Sequence, residues 1–357
     1  MHGRHPPRAR LTCALLWLLT VICISGCNAG TETEADNLPV ATSLGPEQLG
    51  VIVNDNDPDS QAVAAYYMEK RGIPAGNLIH VQLTPGRKVM NPDRFRLLLE
   101  GVRANTPASV QAYVLTWTLP YRVGCMSITT AFAAGFDEAW CAKGCKATQK
   151  SPYYNADTSR PFTDLGVRPT MMLAGESVED VKALIDRGIA ADGSRPNGTG
   201  YLLSTTNRAR NVRARFYHGI ILMQSDRFDL KLIQGNTLQH RPGVMFYFTG
   251  LPQVKGIETN RYRPGAIADH LTSAGGKLSG SGQMNSLEWL KAGATGSYGT
   301  VVEPCAFVQK FPRPDIVINR YLNGETLIES YWKSVAWPGQ GIFIGEPLAA
   351  PFRDPRE

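Results

Sequence analysis

Asp55, Asp57 and Asp59 alternate within Asn54-Asp55-Asn56-Asp57-Pro58-Asp59-Ser60. Carboxylates so spaced offer hard oxygen ligands suited to a calcium or magnesium ion. Pro58, with no glycine at the turn and no glutamate at the twelfth position, separates the segment from a calcium-binding loop. The alternative is a turn at Asp55 with Asp57 and Asp59 capping the following helix. A second group is Asp269-His270-Leu271-Thr272-Ser273, followed by Gly275-Gly276, which leaves room for close backbone approach. Ser273 and His270 would serve as nucleophile and base of a hydrolase, although residues three apart on a helix share a face without being bonded. The third group is Glu303-Pro304-Cys305. Glu303 could act as base or ligand, and Cys305 as nucleophile, small buried residue or disulfide partner. Gly293-Ala294-Thr295-Gly296-Ser297-Tyr298-Gly299 has the small residues of a phosphate cradle but lacks the following lysine, so it reads as a helix-to-strand turn.

The elements that must position these residues alternate between strand and helix. Gly50-Val51-Ile52-Val53 reads as a buried strand. A helix then begins at Asp59 or Ser60 and ends at Gly72 and Pro74, and Leu78-Ile79-His80-Val81 forms a second strand. Further strands are predicted at 112–116, 200–203, 244–248 and 299–302, and helices at 93–103, 178–188, 264–271, 286–292 and 326–335, with the arginines at 208, 210, 213 and 215 on another. The fold class is α/β, a mainly parallel sheet with helices on both faces and two loop insertions, near 124–165 and 205–240. Ligands of open α/β sheets bind beyond the carboxyl ends of strands. That rule singles out Asp55, Asp57 and Asp59, then Trp117, Tyr121 and Arg122, then Thr249 and Gly250, then Glu303 and Cys305.

Residues 1–26 carry Arg4, Arg8 and Arg10 with no acidic residue, then an apolar run closed by Ile24-Ser25-Gly26-Cys27. This order fits a cleaved export signal with a lipobox, and Cys27 becomes the lipidated first residue of the mature chain. Asn28 after the cysteine favours the outer over the inner membrane. Residues 27–48 are small, polar and acidic enough to form a flexible tether, leaving 49–357 as a single α/β domain. Losing the three arginines lowers the formal charge from +6 to +3, which gives no reason to expect a nucleic-acid partner. Cys125, Cys141, Cys145 and Cys305 remain in an oxidising compartment. The plain reading is a disulfide among the first three with Cys305 free. Half of a zinc site at Cys141 and Cys145 is the alternative.

Four blocks, VIVNDNDPDSQAVAAYYMEKRGIP, YRPGAIADHLTSAGG, LKAGATGSYGTVVEP and SYWKSVAWPGQGIFIGEPLAAPF, resemble a family of exported proteins of bacteria that carry the PEP-CTERM/exosortase system. The resemblance implies a setting in exported-protein or exopolysaccharide handling and no particular reaction. A more distant likeness is to gingipain-type peptidases of the caspase-like fold, with Gly345-Glu346-Pro347 in place of their closing Gly-Asp-Pro. Those peptidases place a histidine where this chain has Phe248-Thr249-Gly250 and a cysteine where it has Thr272-Ser273-Ala274-Gly275, so the likeness implies lost cysteine-peptidase chemistry. Two functions follow, beside a purely structural scaffold in which those side chains would lie scattered and buried. The first is an envelope lipoprotein that binds a protein or glycan partner. The second is a hydrolase using Cys305 or Ser273 with His270, or a metal site at Asp55 and Asp57.

Overall fold

Ten strands form one sheet in the order β2-β1-β4-β7-β13-β12-β11-β10-β8-β9, and β3, β5 and β6 form a small second sheet. In chain order they are β1 (Leu49–Asn54), β2 (Leu78–Val81), β3 (Val89–Met90), β4 (Ala112–Leu115), β5 (Arg122–Val123), β6 (Met126–Ser127) and β7 (Thr170–Met172). Then come β8 (Thr199–Ser204), β9 (Asp229–Gln234), β10 (Val244–Thr249), β11 (Tyr262–His270), β12 (Gly296–Thr300) and β13 (Gly341–Gly345). The computed structural model describes residues 43–142 and 144–354; Cys27, the export signal and most of the tether lie outside them. The described residues belong to one compact unit, Ala41–Glu357.

The first crossover shows how local chemistry sets the scaffold. β1 is buried along its whole length, so its continuous apolar run suits a strand covered on both faces. The chain leaves it at Asp57, whose carboxylate accepts the Asp59 N–H, and Pro58 starts the helix Pro58–Arg71 where a missing N–H costs nothing. Gly72 ends that helix at φ +63°, a conformation only glycine adopts freely. Val63, Ala64 and Tyr67 form its inward face.

β1, β2, β4 and β7 are mutually parallel, as are β9, β8, β10, β11 and β12. β13 joins the two sets, antiparallel to β12 from Gly296–Gly345 to Thr300–Gly341. Its link to β7 is one parallel-type bridge, Met172–Ile344, too short to set a strand direction; contacts at the two edges set it instead. Glu346, just after β13, bonds Tyr67 and Arg71 at the far end of the Pro58–Arg71 helix, on the amino edge of β1. Leu278 and Leu287, which follow β11, line a cleft with Asp57, Thr116 and Gly175, which follow β1, β4 and β7. Both parallel sets therefore open on one carboxyl edge.

The segment 264–271 is a correction: it is not a helix but most of β11, buried from Gly265 to His270. A short apolar run in the middle of a sheet has neither the length nor the one-sided periodicity that separates strand from helix. The four arginines lie around the 3-10 turn Val212–Phe216 and the loop before it. The 205–240 insertion also contains the helix Tyr217–Gln224 and strand β9. Two hydrophobic clusters fill the unit. The larger spans the whole sheet, and the smaller packs Tyr201, Tyr247, Ala268 and Trp289 on one face of β8, β10 and β11.

Candidate functional site

The order β2-β1-β4 makes the crossovers diverge between β1 and β4, and a crevice opens at such a point. A cleft of about 460 Å3 lies there. Asp57, Asp59 and Ser60 form one wall, Thr116 to Leu119 the floor, and Gly175 to Val178 the other wall. Ser60 Oγ and Thr116 Oγ1 share a hydrogen bond at 2.8 Å, and Thr118 Oγ1 donates to the Gly175 carbonyl at 2.9 Å. These bonds fix the strand ends against each other. Glu176 pairs with Lys291 at 2.5 Å, whereas Asp57 and Asp59 meet no cation among the described residues.

The three aspartates do not form a ligand set. Asp55 Oδ1 lies 2.7 Å from His80 Nδ1, and Asp57 caps its helix. No group of three His, Cys, Asp or Glu side chains is placed to hold a metal among the described residues.

The order β9-β8-β10 makes a second divergence, between β8 and β10, but this one is filled. Thr205 Oγ1 donates to the Gly250 carbonyl, and a side chain at Gly250 would collide with the Arg210 carbonyl. Beneath the 205–216 segment, Arg213 Nη1 pairs with Asp269 Oδ1 at 2.5 Å, and its Nη2 donates to the Thr249 carbonyl at 2.7 Å. Both charged side chains are only 2% exposed. Burial pushes the Asp269 carboxyl up to about 6 against the pull of Arg213. Asp269 Oδ2, Arg213 Nε and Thr249 Oγ1 have no partner.

His270 faces the opposite side of β11, as alternation requires. Its Nδ1 accepts from the Trp289 indole at 2.8 Å and its Nε2 lies 3.1 Å from the Met284 carbonyl, which fixes the neutral Nε2–H tautomer. Burial drives its pKa down to about 4. The ring has no lone pair left for Ser273.

Ser273 is half-buried and lines a separate cavity of about 400 Å3 with Arg210, Glu303 and Cys305. Arg210 Nε donates to Thr272 Oγ1. Glu303 is exposed and accepts the Cys305 N–H at 2.8 Å. Cys125 is bonded to Cys141, a disulfide among the first three cysteines as expected, whereas Cys305 is bonded to Cys145, which corrects the expected free thiol. The reason lies in the fold: 160 residues separate Cys145 from Cys305, and only the sheet brings the 124–165 insertion beside the end of β12. The carboxyl edge thus holds Asp57, Ser273, Glu303 and Cys305, divided between two cavities, with His270 in neither.

No family model and no curated protein sequence matches the chain. Among solved structures, the complex of Porphyromonas gingivalis RgpB pro- and mature domains is similar, with a TM-score of 0.48 and 9% identity over 85% of this chain and 79% of that one. That likeness is too loose to transfer any residue. Sequence reasoning missed Arg213 as the partner of Asp269 and Trp289 as the partner of His270. An isolated aspartate in a buried run is a signal for a hidden cation, but its partner is distant in sequence.

Proposed function

We propose that this chain is a lipid-anchored protein of the bacterial envelope whose α/β domain binds a protein or glycan partner in exported-protein or exopolysaccharide handling, without hydrolysing it. On this reading residues 1–26 are removed, Cys27 carries the lipid in the outer membrane, 27–48 form the tether and 49–357 the binding domain. The lipobox order and the two disulfides support export to an oxidising compartment. The four sequence blocks support the setting.

The observation that carries the non-hydrolytic part is the state of His270. A hydroxyl nucleophile needs a base within hydrogen-bond reach, and His270 spends both ring nitrogens inside the core. Cys305, bound in a disulfide, has no thiolate to offer. The β1/β4 cleft, with mixed polar and apolar walls and unpaired carboxylates, is suited to holding a ligand.

Activity-based probes for serine and cysteine hydrolases test the reading on the mature protein. No labelling is expected. Labelling removed by Ser273→Ala, with folding intact, would overturn it. Mass analysis of the exported protein should find acyl chains on Cys27, and Cys27→Ala should block maturation.

A further inference from the structure

We infer that the face around the helix Tyr217–Gln224, on the amino edge of β8 and β9, rests on the surface of an anionic lipid bilayer. The inference rests on the lipid anchor proposed above and adds which side of the domain the membrane meets. Leu222 and Met223 on this helix are 76% and 62% exposed, while its Tyr217, Ile220 and Gln224 are buried. Two adjacent large apolar side chains in water cost the free protein and gain on insertion among acyl chains.

The surroundings suit phospholipid headgroups. A cavity of about 510 Å3 beside the helix is lined by Arg195, Arg227, Phe228, Leu322 and Phe352. Arg227 is held by Asn319, the Leu322 carbonyl and Asn323, so its guanidinium is already placed on the exposed rim. Arg195 Nη2 lies 3.8 Å from Asp354 Oδ2. Arg215 is exposed just before the helix. Of the acidic residues on this face, Asp354 lies against Arg195, Asp229 is occupied by Thr199 and Lys231, and Asp226 is exposed, against Arg195, Arg215, Arg227 and Lys231. The balance favours a negative surface.

The course of the chain points the same way. Where the described residues begin, the Leu44 carbonyl accepts from Arg353, whose neighbour Phe352 packs edge-on against Phe228 with ring centroids 5.8 Å apart. The tether therefore leaves the domain beside this face. Residues 27–43 span at most about 60 Å when fully extended, so an anchor at Cys27 holds the face within easy reach of the bilayer.

Co-flotation of the unacylated mature chain, starting at Asn28, with phosphatidylglycerol vesicles tests the face without the anchor. Binding is expected to exceed that to phosphatidylcholine vesicles, to weaken in high salt, and to fall about tenfold or more in Leu222→Ser/Met223→Ser. Arg227→Gln should also weaken it. Leu97, 71% exposed on another helix, is the control, and Leu97→Ser should bind as the parent does. All three changed apolar side chains are exposed, and circular dichroism checks that the variants fold. Equal binding to both vesicle types, no binding, or an equal loss from Leu97→Ser would overturn the inference. Absence of acyl chains on Cys27 with co-flotation intact would sink the anchor alone; acylation without co-flotation would sink the face alone.

Discussion

At the ends of β1, β4 and β7 the side chains border an open cleft, and Asp57 and Asp59 meet no cation among the described residues. At the ends of β10 and β11 the equivalent positions are committed to the protein itself, Asp269 and the Thr249 carbonyl to Arg213 of the 205–216 segment and His270, on the other face, to Trp289. Both regions follow the same topological rule, since each sits where the crossovers diverge. The difference teaches that a crevice becomes a site only where its polar groups remain uncommitted. A strand end packed by an insertion becomes part of the support.

If the filled half is support, cutting its ties should cost stability without touching ligand binding in the cleft. The largest effect is expected from the Cys145–Cys305 link. Its loop is ten times longer than that of Cys125–Cys141, 160 against 16 residues. Chain entropy puts the loss at about 5 kcal/mol for Cys145→Ser/Cys305→Ser and about 3 kcal/mol for the shorter loop, both readable from urea denaturation. Equal losses would show that the link across the halves does not matter more than the local one.

Arg213→Met should follow, at about 4 kcal/mol, because it strands the buried Asp269 carboxylate. Arg213→Met/Asp269→Leu should recover most of that loss in the same assay. No recovery would mean that the pair does more than neutralise itself.

The pH response separates the two neighbours on β11. His270 is held near 4, below the ordinary value of about 6.5. Its contribution is full above about 6.5 and is lost as pH falls towards about 4, by about 3 kcal/mol at most. Asp269, raised to about 6, acts in the opposite sense: its contribution is full below about 4 and declines as pH rises through about 6. Thermal unfolding of His270→Asn should therefore show a flatter acid limb than the parent, and histidine NMR should keep the ring neutral down to about pH 4. An imidazolium at pH 5.5 would contradict the buried, doubly bonded ring.

The smallest effect belongs to the open half. Asp57→Ala should cost about 1 kcal/mol through the lost cap, and Asp57→Ser, which keeps a capping oxygen, only a few tenths. If both variants lose partner binding equally, the charge of Asp57 serves the ligand while its cap serves the helix.

Much of the scaffold was legible. β1, β2, β4, β8 and β10 fall within about two residues of where their apolar runs place them; the helix read from Asp59 or Ser60 starts at Pro58 with Asp57 as its cap, and the helix read over 178–188 spans Val178–Ile189. The central strands were harder. β7 has three residues, β13 is rich in glycine, and β11 resembles a helix because both its faces are covered. The carboxyl edge could be read from strand ends alone. The split into two cavities could not, because it depends on Arg213, Arg210 and Cys145 arriving from insertions whose path no local pattern encodes.

β13 occupies the middle of the sheet, between β7 and β12, yet it comes at residues 341–345 of 357. The two parallel sets cannot become one sheet until almost the whole chain is present. Glu346, fully buried against Arg71 and Tyr67, closes that joint only when residues 275 positions apart or more meet. A chain built this way is slow to complete, because the loop entropy of its longest contacts must be met before those contacts stabilise anything. Until β13 is in place neither parallel set meets the other, so the finished domain exists only once its final strand is present.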